Sequence, residues 1–164
     1  ILHIYQQAGI EKIVVVKFAG IETKLLKENF PDVLFIENHQ PEKGKLHSLR
    51  LGLQAIHHQQ YCFIQTIDNP LVNAALLNQL YKSRHKAHYI SPAWGGKGGH
   101  PILISAPVME HFQHPLPDDR NLHDELQGFS RERVETNTSD CLANINTVAD
   151  YDAFIHSQMM TTAR

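Results

Sequence analysis

Apolar residues along this chain occur in two patterns, short unbroken runs and longer segments with a helical repeat. The unbroken runs predict strands at 12–17, 33–36, 61–67, 88–91, 102–104 and 133–136. The helical repeats predict helices at 1–9, 22–29, 46–58, 74–84, 107–112 and 122–127, and from 148 onward. Apolar strands that alternate with helices are typical of parallel sheets buried on both faces. The pattern therefore predicts an α/β fold with a mostly parallel sheet, in which strand 12–17 is fully buried.

The length and ordinary composition of the chain indicate a single domain spanning residues 1–164. The 15 Lys and Arg residues are scattered and the formal net charge is −2, so we expect no nucleic-acid partner. No apolar run approaches the roughly 20 residues of a membrane span, and we expect no leader before the fold. We therefore expect no membrane partner and a cytoplasmic location. Cys62 and Cys141 are far apart without a C-x-x-C spacing, which favours reduced thiols.

A glycine-rich segment separates two of the predicted strands. It has four glycines in five residues, from Gly95 to Gly99, followed by His100 and Pro101. Such backbone freedom is typical of a loop that approaches a ligand, and it equally suits a surface turn between strands. The segment is not a Walker phosphate loop, because Lys97 is followed by glycine and not by Ser or Thr.

Ligands of open α/β sheets bind beyond the carboxyl ends of the strands, so the residues that follow each strand are candidates for a site. Asp68 follows strand 61–67. The same segment also suits an ordinary helix entry, with Asn69 or Asn73 as the cap and Pro70 in the first turn.

Two further segments carry polar residues at helix entries. Gly44 and Ser48 open the helix after strand 33–36, where free backbone N–H groups could bind an anion or the edge of a base. The alternative is a plain capped helix without a ligand. Asn144 and Asn146 precede the last helix. There Thr147 and Asp150 have the spacing of a capping box, which needs no further function.

Six short motifs occur in order along the chain. They are Gly9-Ile10 with the run to Val16, Gly44 with Ser48-Leu49 and Gly52-Leu53, Asp68 with Pro70-Leu71-Val72, Gly96 with Gly99-His100-Pro101, Asn121 to Leu126, and Asn144 to Thr147 with Asp150-Tyr151. In this order and spacing they resemble the MobA-like nucleotidyltransferase family, which includes the molybdenum cofactor cytidylyl- and guanylyltransferases. The resemblance extends from about Leu2 to Phe154.

The resemblance implies a Rossmann-like three-layer fold of the GT-A type, as in nucleotide-diphospho-sugar transferases. It also implies Mg²⁺ as a cofactor. The implied reaction transfers a nucleoside monophosphate from CTP or GTP to a phosphorylated small acceptor such as molybdopterin, and it releases pyrophosphate.

The resemblance also assigns roles to six residues. They are Asp68 and Asn146 for catalysis and the metal, Gly44 and Ser48 for the nucleotide, and Gly99 and His100 for the acceptor. Two assignments have alternatives, since Asn144 could supply the amide oxygen in place of Asn146 and His100 could instead brace its loop. We expect the side-chain oxygens of Asp68 and Asn146 to converge on one ion, because carboxylate and amide oxygens are ligands that Mg²⁺ accepts.

The chain departs from the family pattern at its beginning. It starts at Ile1, after the point where family members carry a first strand and a glycine-rich phosphate loop. We expect an N-terminally truncated domain that is catalytically inert as given and that forms homo-oligomers through the sheet edge along 13–16. The segments Lys45-Leu46-His47 and Val148-Ala149 also depart from the pattern. The alternative to an enzyme is a non-catalytic α/β domain of the same fold that senses a ligand or binds a partner.

Overall fold

The computed structural model describes residues 1–117 and 120–162. Its helices are α1 (Leu2–Gln7), α2 (Lys24–Asn29), α3 (Gly44–Gln54), α4 (Ala74–Lys82), α5 (Ala106–Gln113), α6 (Leu122–Leu126) and α7 (Val148–Thr162). Its strands are β1 (Val14–Phe18), β2 (Leu34–Asn38), β3 (Tyr61–Ile64), β4 (Tyr89–Trp94), β5 (Lys97–Gly98), β6 (Ile102–Ser105) and β7 (Arg131–Glu135). Two 3₁₀ turns, Pro41–Lys43 and Ser139–Leu142, complete the elements of this part of the chain. Every predicted helix and strand is present, whereas β5 and the 3₁₀ turns were not predicted.

The described strands form two sheets. β1 and β2 make a parallel pair, and the second sheet has the order β3-β6-β4-β5 with β7 parallel to β4. β6 is antiparallel to both β3 and β4, so these two strands point the same way as β7. The α/β class is confirmed, but the second sheet is mixed and not mostly parallel. The reason is the short connection between Trp94 and Ile102, since a parallel return requires a crossover of a dozen or more residues.

The turn between β4 and β5 accounts for the first two glycines of the glycine-rich segment. Trp94 pairs with Lys97, which leaves Gly95 and Gly96 as a two-residue hairpin turn. Their φ angles are 57° and 78°. Two successive positive φ values are the signature of a type I′ turn, which glycine adopts without strain. The hairpin turn is therefore enough to explain why glycine occurs at positions 95 and 96, without a ligand.

Helices cover the second sheet on both faces and form three layers. Leu103 of β6 packs with Leu76 and Leu80 of α4, whereas the next residue, Ile104, packs with the apolar side of α5. This alternation follows from the two-residue period of a strand. No helix in the described ranges is long and apolar enough to cross a membrane.

The two sheets lie side by side beneath the same helices, although β1 and β3 are not paired. On one face, Gly52 of α3 contacts Val16 of β1, while the same helix packs on the cluster that includes Ile64 of β3. On the other face, Tyr5 of α1 packs with both Ile13 and the ring of Phe63. Among the described strands, β1 pairs with β2 alone and β3 with β6 alone. The valines of β1 are consequently half-buried and not fully buried as expected.

Candidate active site

The carboxylate of Asp68 follows β3 in the turn that leads towards α4. Its Oδ1 atom is buried and has no hydrogen-bond partner among the described residues. Buried polar atoms are nearly always paired, because an unpaired one costs desolvation free energy. The unpaired carboxylate oxygen of Asp68 is therefore a candidate position for a ligand.

The ring of His100 lies within electrostatic reach of Asp68. Burial lowers the pKa of His100, the negative charge of Asp68 opposes this shift, and the positive charge of Lys45 adds to it. The Nδ1 atom of His100 is also buried without a partner in the described part of the chain. Lys45 belongs to the first turn of α3, the helix that follows β2, whereas Asp68 follows β3. Because both residues act on His100, the carboxyl ends of β2 and β3 lie on the same side of the molecule.

Asn69 holds the Asp68 turn against the segment that precedes α7. This side chain is 1% exposed, and its Nδ2 donates to the carbonyl oxygens of Cys141 at 3.2 Å and Ala143 at 2.5 Å. Asn69 is therefore not a helix cap. The cap of α4 is Asn73, whose Oδ1 accepts from Leu76 N at 2.9 Å, and Pro70 lies outside that helix.

The residues around Asn146 also approach Asp68. Ile145 N donates to the backbone oxygen of Asp68 at 2.7 Å, so the two segments are adjacent. The capping box is present, with Thr147 Oγ1 accepting from Asp150 N at 3.1 Å and Asp150 Oδ2 accepting from Thr147 N at 2.9 Å. The side chains of Asn144 and Asn146 are exposed and make no hydrogen bond to the described residues. Their amide oxygens are thus available beside the Asp68 turn.

The capping box predicts a pH-dependent start of α7. A hydrogen bond from the Thr147 side chain and the N–H groups of Asn146 and Thr147 lower the pKa of Asp150 below its ordinary 3.8. Because the folded-state pKa is depressed, the cap stabilises the helix start above the unfolded-state pKa and is lost as the pH falls through the folded-state value. The amide resonances of Asn146 and Thr147 should titrate with a midpoint below 3.8 in NMR spectra, and Asp150→Asn should abolish this titration. A midpoint at or above that value would contradict the cap.

Gly44 and Ser48 lie at the entry to α3, at the end of β2. The helix begins at Gly44, earlier than predicted, and no side chain caps it. Ser48 is half-buried, and its Oγ accepts a hydrogen bond from Asn38 Nδ2 at 2.9 Å. Uncapped N–H groups and an available hydroxyl make this helix start suited to a polar, electron-rich ligand.

Gly99 is buried against the 3₁₀ turn Ser139–Leu142. A Cβ atom at this position would lie 2.1 Å from the carbonyl oxygen of Cys141. The same carbonyl accepts from His100 N at 2.9 Å and from Asn69 Nδ2. The Cys141 carbonyl therefore joins the His100 loop to the Asp68 turn, and Gly99 permits that close approach.

Sequence reasoning missed two buried asparagines that organise the site, Asn38 and Asn69. Asn69 was considered only as a local cap, whereas its partners lie 72 and 74 positions away. The signal that was present is the sequence Asp68-Asn69-Pro70, in which an amide directly follows the candidate carboxylate and precedes a proline. Asn38 follows the apolar residues of its strand, and nothing in the local sequence marks it as 0% exposed.

Known proteins similar to this chain were found by sequence and by structure. Residues 1–134 match the family described as "MobA-like NTP transferase domain". Molybdenum cofactor cytidylyltransferase from Escherichia coli strain K12 is 26% identical over 140 residues, which cover 85% of this chain and 71% of that protein. A nucleotidyl transferase from Methanothermobacter superposes with a TM-score of 0.78 at 22% identity, covering 98% of this chain and 79% of the other. Rv0371c from Mycobacterium tuberculosis H37Rv, in complex with manganese, gives 0.72 at 18% identity, covering 93% and 82%.

The match over residues 1–134 shows that the chain belongs to the MobA-like NTP transferase family. The structural neighbours confirm the expected fold, that of the nucleotidyltransferases, and the family confirms the broad reaction class. The expected resemblance to a molybdenum cofactor cytidylyltransferase is confirmed as well.

Proposed function

We propose that this protein transfers a nucleoside monophosphate from CTP or GTP to a phosphorylated small acceptor such as molybdopterin. In this reaction a phosphate oxygen of the acceptor forms a bond to the α-phosphorus of the nucleotide. The bond from that phosphorus to the oxygen that bridges to the β-phosphate breaks, and pyrophosphate leaves with the electron pair. Such transfers depend on positioning and charge neutralisation, so a suitable site needs few reactive side chains.

The observation that carries this proposal is the unpaired, buried carboxylate oxygen of Asp68 beside the 144–146 segment. A carboxylate and a neutral amide are hard oxygen donors, and Mg²⁺ completes such a site with water and phosphate oxygens. Asp68 and Asn146 therefore fit Mg²⁺. When bound there, the ion would neutralise charge on the transferred phosphate and on pyrophosphate.

The remaining candidates would bind the two substrates. Ser48 and the start of α3 at Gly44, which no side chain caps, would bind the nucleotide base. His100 would face the acceptor, and Gly99 would let its loop approach the 3₁₀ turn. We place the reaction in the cytoplasm, where free thiols such as Cys62 and Cys141 stay reduced.

Pyrophosphate release by the full-length protein tests the proposal. With molybdopterin, Mg²⁺ and either CTP or GTP, we expect turnover with at least one of the two nucleotides. Chelation by EDTA should stop the reaction, and added Mg²⁺ should restore it. Nucleotide binding without pyrophosphate release would instead favour the non-catalytic, ligand-sensing alternative. Failure to bind either nucleotide would contradict both.

We also propose that the 164-residue chain self-associates through β1. Ile13 O and Ala19 N are bonded to β2, so by alternation Val14 and Val16 direct their N–H and C=O groups to the free edge. An unpaired edge is a template for pairing with a second copy. Sedimentation should show a mass that rises with concentration, and Val14→Pro should suppress this because it removes an edge donor without touching the β2 ladder. A monomer at high concentration would refute the proposal.

A further inference from the structure

The buried side chain of Asn38 lies at the end of β2 and contacts Ser48 on α3. It is 0% exposed. Its Nδ2 donates to Ser48 Oγ at 2.9 Å, and its Oδ1 accepts from Gln40 N at 2.8 Å. Its own backbone oxygen accepts from Ala19 N at 3.1 Å. The amide group is therefore held on both sides, on a backbone that is itself fixed.

The orientation of the Asn38 amide follows from the donor on Gln40. A backbone N–H can only donate, so the amide oxygen faces Gln40 and the amide nitrogen faces Ser48. An amide nitrogen can also only donate, so the Ser48 hydroxyl accepts there and its own proton points elsewhere. Ser48 Oγ donates no hydrogen bond to the described residues. That proton is thus available to a ligand at the start of α3.

We propose that Asn38 is a positioning residue that makes Ser48 a hydrogen-bond donor to an acceptor atom on the edge of the nucleotide base. The acceptor is a carbonyl oxygen or an unprotonated ring nitrogen. This inference rests on the proposed function, in which Ser48 lies at the base. A serine hydroxyl has one proton and two acceptor lone pairs, so Ser48, which already accepts from Asn38, keeps its proton free for a base that presents an acceptor. A base without an acceptor at that point would leave the Ser48 proton unpaired, which is the costly outcome.

Asn38→Asp tests this inference because it reverses one hydrogen bond and keeps the other. One carboxylate oxygen still accepts from Gln40 N, and the second accepts the Ser48 proton, which then points away from the base. In the full-length protein we expect the dissociation constant of the preferred nucleotide, CTP or GTP, to rise about tenfold, the size expected for one lost hydrogen bond. The KM for the acceptor should not change, because the proposed acceptor site is at Gly99 and His100 and does not include Ser48.

A Ser48→Ala background separates reorientation from the added charge. Without the hydroxyl, Asn38→Asp should change nucleotide affinity by less than about twofold, because two residues that act through one contact are not additive. Asn38→Ala repeats the cycle without a charge, and circular dichroism confirms folding of each variant. If Asn38→Asp does not fold, the Asn38→Ala cycle decides alone.

The outcomes distinguish this inference from the proposed function. Equal losses of affinity with and without the Ser48 hydroxyl would overturn the positioning role, because they would report charge or stability alone. Unchanged affinity in Asn38→Asp and Asn38→Ala would overturn it as well. If the unmodified protein binds neither CTP nor GTP, the proposed function fails and this inference fails with it.

Discussion

Asp68→Asn in the full-length protein should lower kcat by about 10³-fold, the order that removal of a key electrostatic group costs an enzyme. The substitution keeps the shape of the side chain and removes its negative charge. Since Asp68 Oδ1 is buried and unpaired, we expect that charge to hold the metal and not the fold. Asn146→Ala should cost only about tenfold, because its amide is neutral and exposed, and water can replace it.

Two measurements identify the cause of the loss. Titration with Mn²⁺, followed by electron paramagnetic resonance, should show weak or no binding in Asp68→Asn and nearly normal binding in Asn146→Ala. In metal-free buffer Asp68→Asn should unfold at the same temperature as the unmodified protein or higher, since an unpaired buried carboxylate oxygen disfavours folding. Near-normal kcat in Asp68→Asn, or a larger loss in Asn146→Ala, would contradict the proposed metal site.

The elements of the fold were predictable wherever the local apolar pattern was strong, whereas the antiparallel pairing in the second sheet was missed. β5 has two residues, Lys97 and Gly98, which are too few and too polar to form a pattern. The adjacent Gly95-Gly96 pair did carry a signal, because two glycines between strands favour a hairpin turn. A hairpin there forces antiparallel pairing and would have predicted the mixed sheet.

The site was predictable to the extent that it follows from the ends of strands. Asp68 and the 144–146 segment do lie together, as the backbone hydrogen bond from Ile145 to Asp68 shows. The residues that hold them there were not predictable, because a buried asparagine and a helix-capping asparagine look alike in a sequence. Only the fold shows that Asn69 reaches the carbonyl of Cys141, 72 positions away.

The neighbouring glycines 98 and 99 should respond very differently to the same substitution. A Cβ atom added at either position would overlap sterically with a neighbouring group. At Gly98 the group is the Nη2 atom of Arg131, at 1.9 Å. This atom is the end of a flexible side chain, which can move aside with the loss of its hydrogen bonds to Ser91.

Gly99→Ala should destabilise the protein by about 3 kcal/mol, whereas Gly98→Ala should cost about 1 kcal/mol. At Gly99 the Cβ atom would lie 2.1 Å from the oxygen and 2.6 Å from the carbon of the Cys141 carbonyl. These are backbone atoms of a turn that also accepts hydrogen bonds from His100 and Asn69, so relief of the overlap must break the contacts that join the two halves of the site. Urea unfolding of both variants measures the difference, and the nucleotide affinity of Gly98→Ala should stay normal. Equal destabilisation by the two substitutions would show that the 3₁₀ turn yields as easily as an arginine side chain, and would remove the reason to regard it as a fixed part of the site.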